Sequence, residues 1–80
     1  SDNYSFCVAG QKVIVRNDLI GKALSALPEQ KRDIILLSYL LEMPDGDIGE
    51  KLNLVRSTIQ YQRTNTLKSM KKYMEETGDE

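Results

Sequence analysis

Apolar and polar positions alternate from Tyr4 to Asn17 with the period of a β-strand. Phe6 and Val8 precede Gly10, and Val13 and Val15 follow it, each pair spaced by two. Alternation on both sides of a glycine is typical of a β-hairpin, because glycine readily adopts the positive φ of a tight turn. We therefore predict a hairpin around a Gly10-Gln11 turn, in which Val8 pairs with Val13 and Phe6 with Val15. A two-stranded ribbon is marginally stable alone, so these side chains should pack on the helices that follow.

Beyond the hairpin, apolar residues recur three and four positions apart, which is the spacing of one face of an α-helix. Asn17 or Asp18 can cap a first helix that runs to about Leu27. Pro28 suits the first turn of a second helix, which should end near Glu42 because a proline two residues later disfavours helical backbone before it. The side chains expected in the core are Leu19, Ile20, Ala23, Leu24, Leu27, Ile34, Ile35, Leu36, Leu37, Leu40 and Leu41.

The remaining pattern predicts two more helices joined by a short turn. Asp45 and Asp47 favour the positive N-terminal end of the third helix, and Asn53 suits a left-handed residue just past its C-terminal end. The last helix should begin at Ser57 or a neighbour and end near Glu75, with residues 76–80 forming a disordered tail. Its expected buried stripe consists of Ile59, Thr66, Met70 and Tyr73 or Met74.

The pattern as a whole predicts a mainly α fold. Residues 1–16 form the N-terminal hairpin segment, and residues 17–75 form a four-helix domain whose C-terminal part, residues 44–74, is a helix-turn-helix. Two helices joined by about four residues match the motif in which the second helix enters the major groove of DNA.

The charge distribution supports this interpretation, although the net charge of −1 does not. Six basic residues and no acidic residue lie between Lys51 and Lys72, whereas the rest of the chain holds five basic and twelve acidic residues. A block of one sign creates a local field that the average conceals. A solvated basic helix face is the alternative explanation, and charge alone does not separate the two.

The composition argues against several other classes of function. The chain has no His and a single cysteine, Cys7, which leaves no transition-metal site and no usual pair of nucleophile and base. We therefore predict neither an enzyme nor a bound cofactor. The lone cysteine fits a reducing, cytoplasmic location, and no apolar run is long enough to cross a membrane.

Side chains on the outer face of the last helix's first two turns are those that reach base edges. We predict base contacts by Arg56, Ser57, Gln60 and Tyr61, since Arg can bond guanine and Gln can bond adenine in a bidentate way. The ring of Tyr61 could instead stack on the sugar-phosphate edge or pack against the third helix. Contacts to the DNA backbone, which position a protein without reading sequence, are predicted for Lys51, Thr58, Arg63, Thr64 and Lys68. The alternative for Thr58 is a bond that satisfies the start of the helix.

Two runs of residues form a recognisable pattern. The first contains Ala23-Leu24, Leu27-Pro28-Glu29, Arg32-Asp33-Ile34, Leu37 and Tyr39. The second contains Asp47-Ile48-Gly49-Glu50-Lys51-Leu52-Asn53-Leu54 and Ser57-Thr58-Ile59. Together, across residues 23–73, they resemble region 4 of the sigma-70 family of bacterial transcription initiation factors. The N-terminal hairpin lies outside the usual region 4 and is similar to the sigma-like proteins carried on integrative and conjugative elements of Gram-positive bacteria.

The resemblance implies a function and two partners. Region 4 reads the −35 element of a promoter in the major groove and docks on the flap of the RNA polymerase β subunit. By position, the family's base-reading places fall on the four residues predicted above to contact bases. The chain departs from the family's pattern at Gly49, where Ala is usual, at Val55, where Ser or Thr is common, and at Gln62 and Asn65, where Arg is common. The last two departures imply that this helix needs RNA polymerase beside it to hold a promoter firmly.

A second hypothesis assigns a different function to the same fold. The helix-turn-helix would dock on RNA polymerase or on a sigma factor without reading bases, and the acidic first half would face that partner. The target sequence, the activating or repressing role and the oligomeric state stay open at this point.

Overall fold

A computed structural model describes residues 3–78, in which a β-hairpin is followed by four α-helices, as the sequence predicts. The elements are β1 (Tyr4–Val8), β2 (Gln11–Val15), α1 (Asp18–Ser25), α2 (Glu29–Ile35), α3 (Asp45–Leu52) and α4 (Arg56–Gly78). A π-helical segment, Leu36–Leu40, extends α2. None of the helices in this part of the chain has the length and apolar character needed to cross a membrane.

The hairpin forms, but its predicted register is wrong. The strands are antiparallel and pair Phe6 with Val13 and Val8 with Gln11, so that the two turn residues are Ala9 and Gly10 and not Gly10 and Gln11. Ala9 and Gly10 have φ values of 50° and 77°. A tight two-residue turn whose twist matches that of the strands requires positive φ at both central positions. Because Ala9 and Gly10 adopt these values, the pairing of the strands differs from the predicted pairing by two residues. A displacement of two keeps every side chain on its predicted face.

We expect Ala9→Asn to stabilise the domain by about 0.5–1 kcal/mol. The left-handed backbone of Ala9 brings Cβ close to the next carbonyl oxygen, whereas Asn tolerates this conformation and the pair Asn-Gly favours this turn. Urea unfolding monitored by circular dichroism measures the change. Gly10→Ala is the matched control and should destabilise the domain; equal shifts for the two variants would contradict the assignment of this turn.

The hairpin packs on the first two helices, as predicted. Val8, Val13 and Val15 are buried in the same hydrophobic cluster as the helix core. The ring of Tyr4 lies directly on Gly21 of α1, where an added Cβ would come within 2.1 Å of the ring, and the Tyr4 hydroxyl donates a 2.7 Å hydrogen bond to Asp18. The N-terminal segment is therefore an integral part of the domain.

A second contact joins the hairpin to α2. The Arg32 guanidinium carbon lies 5.5 Å from the centre of the Phe6 ring, within the range of a cation–π interaction. Phe6 and Arg32 are both half-buried, so the contact covers the edge of the core beneath β1.

Local sequence signals explain where the first helices begin and end. Asn17 is the N-cap of α1, and its side-chain oxygen accepts a 2.9 Å hydrogen bond from the Ile20 amide. The predicted end of the second helix near Glu42 is also confirmed, since Glu42 adopts a left-handed φ of 54°. The π-helical segment before it was not predicted. In that segment Leu40 turns outward and is 38% exposed, so its placement in the predicted core is wrong.

The core lies where all four helices and the hairpin meet. It contains Val8, Val13, Val15, Ala23, Leu24, Ile34, Ile35, Leu36, Leu37, Ile48, Ile59 and Met70. The predicted stripe of α4 is confirmed, with Ile59, Thr66 and Met70 buried and Tyr73 and Met74 half-buried against the cluster. The helix continues to Gly78, three residues past its predicted end, so residues 76–78 are helical and not part of a disordered tail. Residues 79–80 lie outside the described part of the chain.

Candidate nucleic-acid interface

Helices α3 and α4 are joined by a turn of three residues, 53–55. Asn53 has the left-handed conformation that the sequence predicts, with φ 60° and ψ 48°. The chain then reverses closely enough for the Leu54 amide to donate a 2.9 Å hydrogen bond to the Gly49 carbonyl oxygen. The next helix begins at once, because the Val55 carbonyl accepts a 3.1 Å hydrogen bond from the Ile59 amide.

The tightness of this turn depends on Gly49. A Cβ atom built on this residue would lie 2.5 Å from the Leu54 carbonyl oxygen, a backbone atom that cannot move alone. Gly46, one turn earlier in α3, has open space at the same position. The glycine at residue 49 therefore allows the turn to pack closely against α3. The position of the turn determines the orientation of α4 relative to α3.

The buried stripe of α4 determines which residues face outward. Because Ile59, Thr66 and Met70 point into the core, the opposite face of the helix is presented to solvent. The exposed residues along the first half of α4 are Arg56, Ser57, Gln60, Tyr61, Thr64, Leu67 and Lys68. Tyr61 is 68% exposed, which places it on the surface and not against α3.

The four residues predicted to contact bases are thus all exposed near the N-terminal end of α4. Among the predicted backbone contacts, Lys51, Thr64 and Lys68 are exposed and Thr58 is half-buried. Within residues 3–78, the cationic groups of Arg56, Lys51 and Lys68 form no ion pair with a carboxylate. These charges are therefore available to an anionic partner.

Arg63 occupies a different environment from its predicted one. Its guanidinium forms a bidentate pair with Asp45 at the start of α3: Nη1 donates to Oδ1, and Nη2 donates to Oδ2 over 2.9 Å. Ser38 Oγ lies 3.5 Å from Nη1. The Arg63 side chain is only 18% exposed, so its charge connects α4 to α3 inside the domain and is not free at the surface.

This pair shifts the titration of both partners. The hydrogen bonds from Arg63 hold the pKa of the Asp45 carboxyl below its ordinary value of 3.8, and the same bonds raise the pKa of Arg63. Because the carboxylate is the form that is stabilised in the folded state, the pair contributes stability above the ordinary pKa of Asp45. That contribution is lost as the pH falls through the lower folded pKa.

We expect Asp45→Asn to cost about 1.5 kcal/mol at pH 7 and less near pH 2, because the stabilising carboxylate is lost as the pH falls through the lowered pKa of Asp45. Urea midpoints measured at both pH values for the variant and the wild type give this difference. Asp47→Asn is the control, since Asp47 has no ion pair among the described residues. Its effect on stability should differ less between the two pH values. An Asp45→Asn difference that is the same at both pH values would show that the ion pair is not its cause.

The family model described as sigma-70, region 4 matches residues 17–70 of the chain, about two thirds of its length. No curated protein and no solved structure matches the chain. The protein belongs to the sigma-70 region 4 family. This family is a class of DNA-binding transcription factor domains and not a class of enzymes, which agrees with the function class predicted from the sequence.

The candidate site lies entirely within the residues that match the family model. The matched region begins at the N-cap of α1 and ends at Met70, so it includes α3, the three-residue turn and all the residues predicted to contact DNA. The hairpin lies outside it, which makes the packing of Tyr4 on Gly21 an addition to the region 4 domain.

Two contacts of the domain, one of them within this site, are not predicted by the sequence. Gly21 looks like a weak point in a helix until the ring of Tyr4 is seen on it. The Asp45–Arg63 pair spans eighteen residues, so no local spacing reveals it. A signal was nevertheless present: Arg63 follows Ile59 by four residues, which places it beside the buried stripe and within reach of α3.

Proposed function

We propose that α3, the three-residue turn and α4 form a helix-turn-helix that binds promoter DNA and reads a −35-like element in the major groove. The protein would act as the region 4-like part of a sigma-type transcription initiation factor. The observation that carries this proposal is the outward face of α4, which presents amide, hydroxyl and basic side chains. The whole segment from Lys51 to Lys72 contains no carboxylate. Such a face suits both base edges and phosphates.

In this proposal the base edges are contacted by Arg56, Ser57, Gln60 and Tyr61. Arg56 has the strongest support, because its side chain is exposed, has no carboxylate partner among residues 3–78 and stands at the first position of the helix. A long cation at that position has no part in the core. Its planar guanidinium suits the two acceptors that guanine presents in the major groove.

The phosphate contacts are assigned to Lys51, Thr58, Thr64 and Lys68. Lys51 is an exposed cation in the last turn of α3, Lys68 is an exposed cation of α4, and the two threonines precede Lys68 along α4. We leave Arg63 out of this set, since its guanidinium is already bound to Asp45. Its function in the proposed complex is to hold α4 against α3 so that the exposed face keeps its direction.

RNA polymerase is the proposed protein partner, through the flap of its β subunit. Gln62 and Asn65 stand where the family commonly has Arg, so this face makes fewer charged contacts with DNA than a typical region 4. Polymerase bound alongside would supply the missing affinity. We also infer, from the N-terminal hairpin that precedes the matched region, a sigma-like factor of the kind carried on Gram-positive mobile elements.

Selection of bound duplexes from a random pool, repeated at two salt concentrations, tests the proposal. Reading by contact predicts an enriched motif at both concentrations, together with an affinity that falls steeply with salt as phosphate-bound counterions are released. A domain that only docks on a protein would enrich no motif and would show no duplex binding to titrate. The second result would replace DNA reading by the alternative function of an interaction module.

A further inference from the structure

Val55 is unlike the other valines of this protein. Val8, Val13 and Val15 are at most 6% exposed, whereas Val55 is 66% exposed. Among residues 3–78, only Tyr61 is a more exposed large apolar residue, at 68%. Val55 therefore contributes nothing to the core, and its two methyl groups are presented to solvent immediately before α4.

The position of Val55 makes this exposure more significant. Its carbonyl accepts the first hydrogen bond of α4, from the Ile59 amide, so Val55 is the N-cap of that helix. An N-cap is stabilised by a side chain that accepts a backbone N–H bond, as Asn17 does for α1, and a valine side chain has no acceptor. The protein thus has an exposed apolar group at a position where a serine or threonine would stabilise the fold.

The surroundings of Val55 lie within the proposed DNA-binding surface. It lines a shallow, open concavity together with Gly49, Glu50, Asn53 and Arg56. Arg56 is the residue with the strongest support for a base contact. An apolar group beside a base-reading arginine has one chemical counterpart in the major groove. Thymine alone among the four bases presents a methyl group there.

We propose that Val55 reads a thymine by packing its methyl groups against the C5-methyl of that base. The inference rests on the proposed function, because it requires the N-terminal end of α4 to enter the major groove. It adds a specificity-determining residue of apolar chemistry next to the polar set, and it predicts a thymine adjacent to the base pair that Arg56 contacts.

Replacement of thymine by uracil provides the test, because it removes the C5-methyl and leaves base pairing unchanged. The probe is the duplex obtained by selection from the random pool, with each thymine replaced singly by deoxyuridine. One replacement should weaken wild-type binding by about four-fold, the effect expected for one buried methyl-sized group. Fluorescence anisotropy at a single salt concentration measures the affinities.

The decisive variant is Val55→Ser. It should lose sensitivity to uracil at that one thymine, and its melting temperature should rise because serine supplies the missing cap. Leu67→Ala is the matched control: it removes another exposed apolar side chain of α4, one with no assigned contact to DNA, and it should keep the uracil effect at the same thymine. A higher melting temperature also shows that the change in binding does not come from unfolding.

The failure of this inference and the failure of the proposed function give different results. A selected motif that contains no thymine, or whose uracil sensitivity is unchanged in Val55→Ser, would overturn the role of Val55 and leave promoter reading intact. A pool that yields no motif would overturn both.

Discussion

Gly49→Ala should destabilise the domain by about 2–3 kcal/mol and abolish binding of the selected duplex. The added Cβ would lie 2.5 Å from the Leu54 carbonyl oxygen, and relief of that overlap requires the α3–α4 turn to move as a whole. The Leu54 amide donates its hydrogen bond to the same Gly49, so the movement also weakens that bond. Urea unfolding gives the stability change, and anisotropy with the selected duplex gives the loss of binding.

The control for this variant is Gly46→Ala in the same helix. A Cβ at Gly46 meets no atom within 4 Å, and alanine has the higher helix propensity, so this variant should gain up to about 1 kcal/mol and bind as the wild type does. Alanine is usual at the Gly49 position in the region 4 family, so the sequence alone would not predict that Gly49→Ala destabilises the domain. A Gly49→Ala variant as stable as Gly46→Ala would mean that the turn does not pack on α3 as described.

Arg56→Ala should weaken binding of the cognate duplex by about 1–3 kcal/mol, and it should relax the preference at one base pair. The reason is that a bidentate contact to guanine supplies both affinity and discrimination, and alanine supplies neither. Because Arg56 has no ion pair within the described residues, its removal should leave the stability of the fold nearly unchanged. Repetition of the selection with the variant protein identifies the base pair whose preference is lost.

Lys68→Ala separates a base contact from a phosphate contact. Lys68 is an exposed cation on the same face of α4, and its removal should weaken binding to all duplexes alike and lower the salt dependence by about one counterion. If Arg56→Ala behaves in this same uniform way, then Arg56 binds phosphate and the assignment of bases to the N-terminal end of α4 is wrong.

The sequence predicts the helical part of this fold well because its signals are local. Asn17 caps α1, Asn53 ends α3 in the left-handed conformation, and the apolar spacing of α4 gives its buried stripe of Ile59, Thr66 and Met70. Each of these features depends on residues within one or two turns of one another. The family match then supports the function class that the same residues indicated.

The features that the sequence did not predict depend on contacts between residues far apart in the chain, or on a choice between two turns that the same apolar pattern allows. The hairpin register depends on whether Ala9 or Gln11 shares the turn with Gly10, and the alternation of apolar residues is the same in both cases. The pairing of Arg63 with Asp45 arises only when α4 packs on α3. At the candidate site, the sequence predicted which face of α4 is exposed. It did not predict that Arg63 forms an ion pair inside the domain, which only the structure shows.

On the proposed function, the exposed face of α4 reads base sequence. The most direct measurement is the ratio of the wild-type protein's affinities for the selected duplex and for a duplex of the same composition with the motif scrambled, at one fixed salt concentration. Since each mismatched base pair costs about 1–3 kcal/mol in a site that is read, we predict a ratio of at least about a hundred. Equal affinities for the two duplexes would contradict the claim and leave only charge-driven binding.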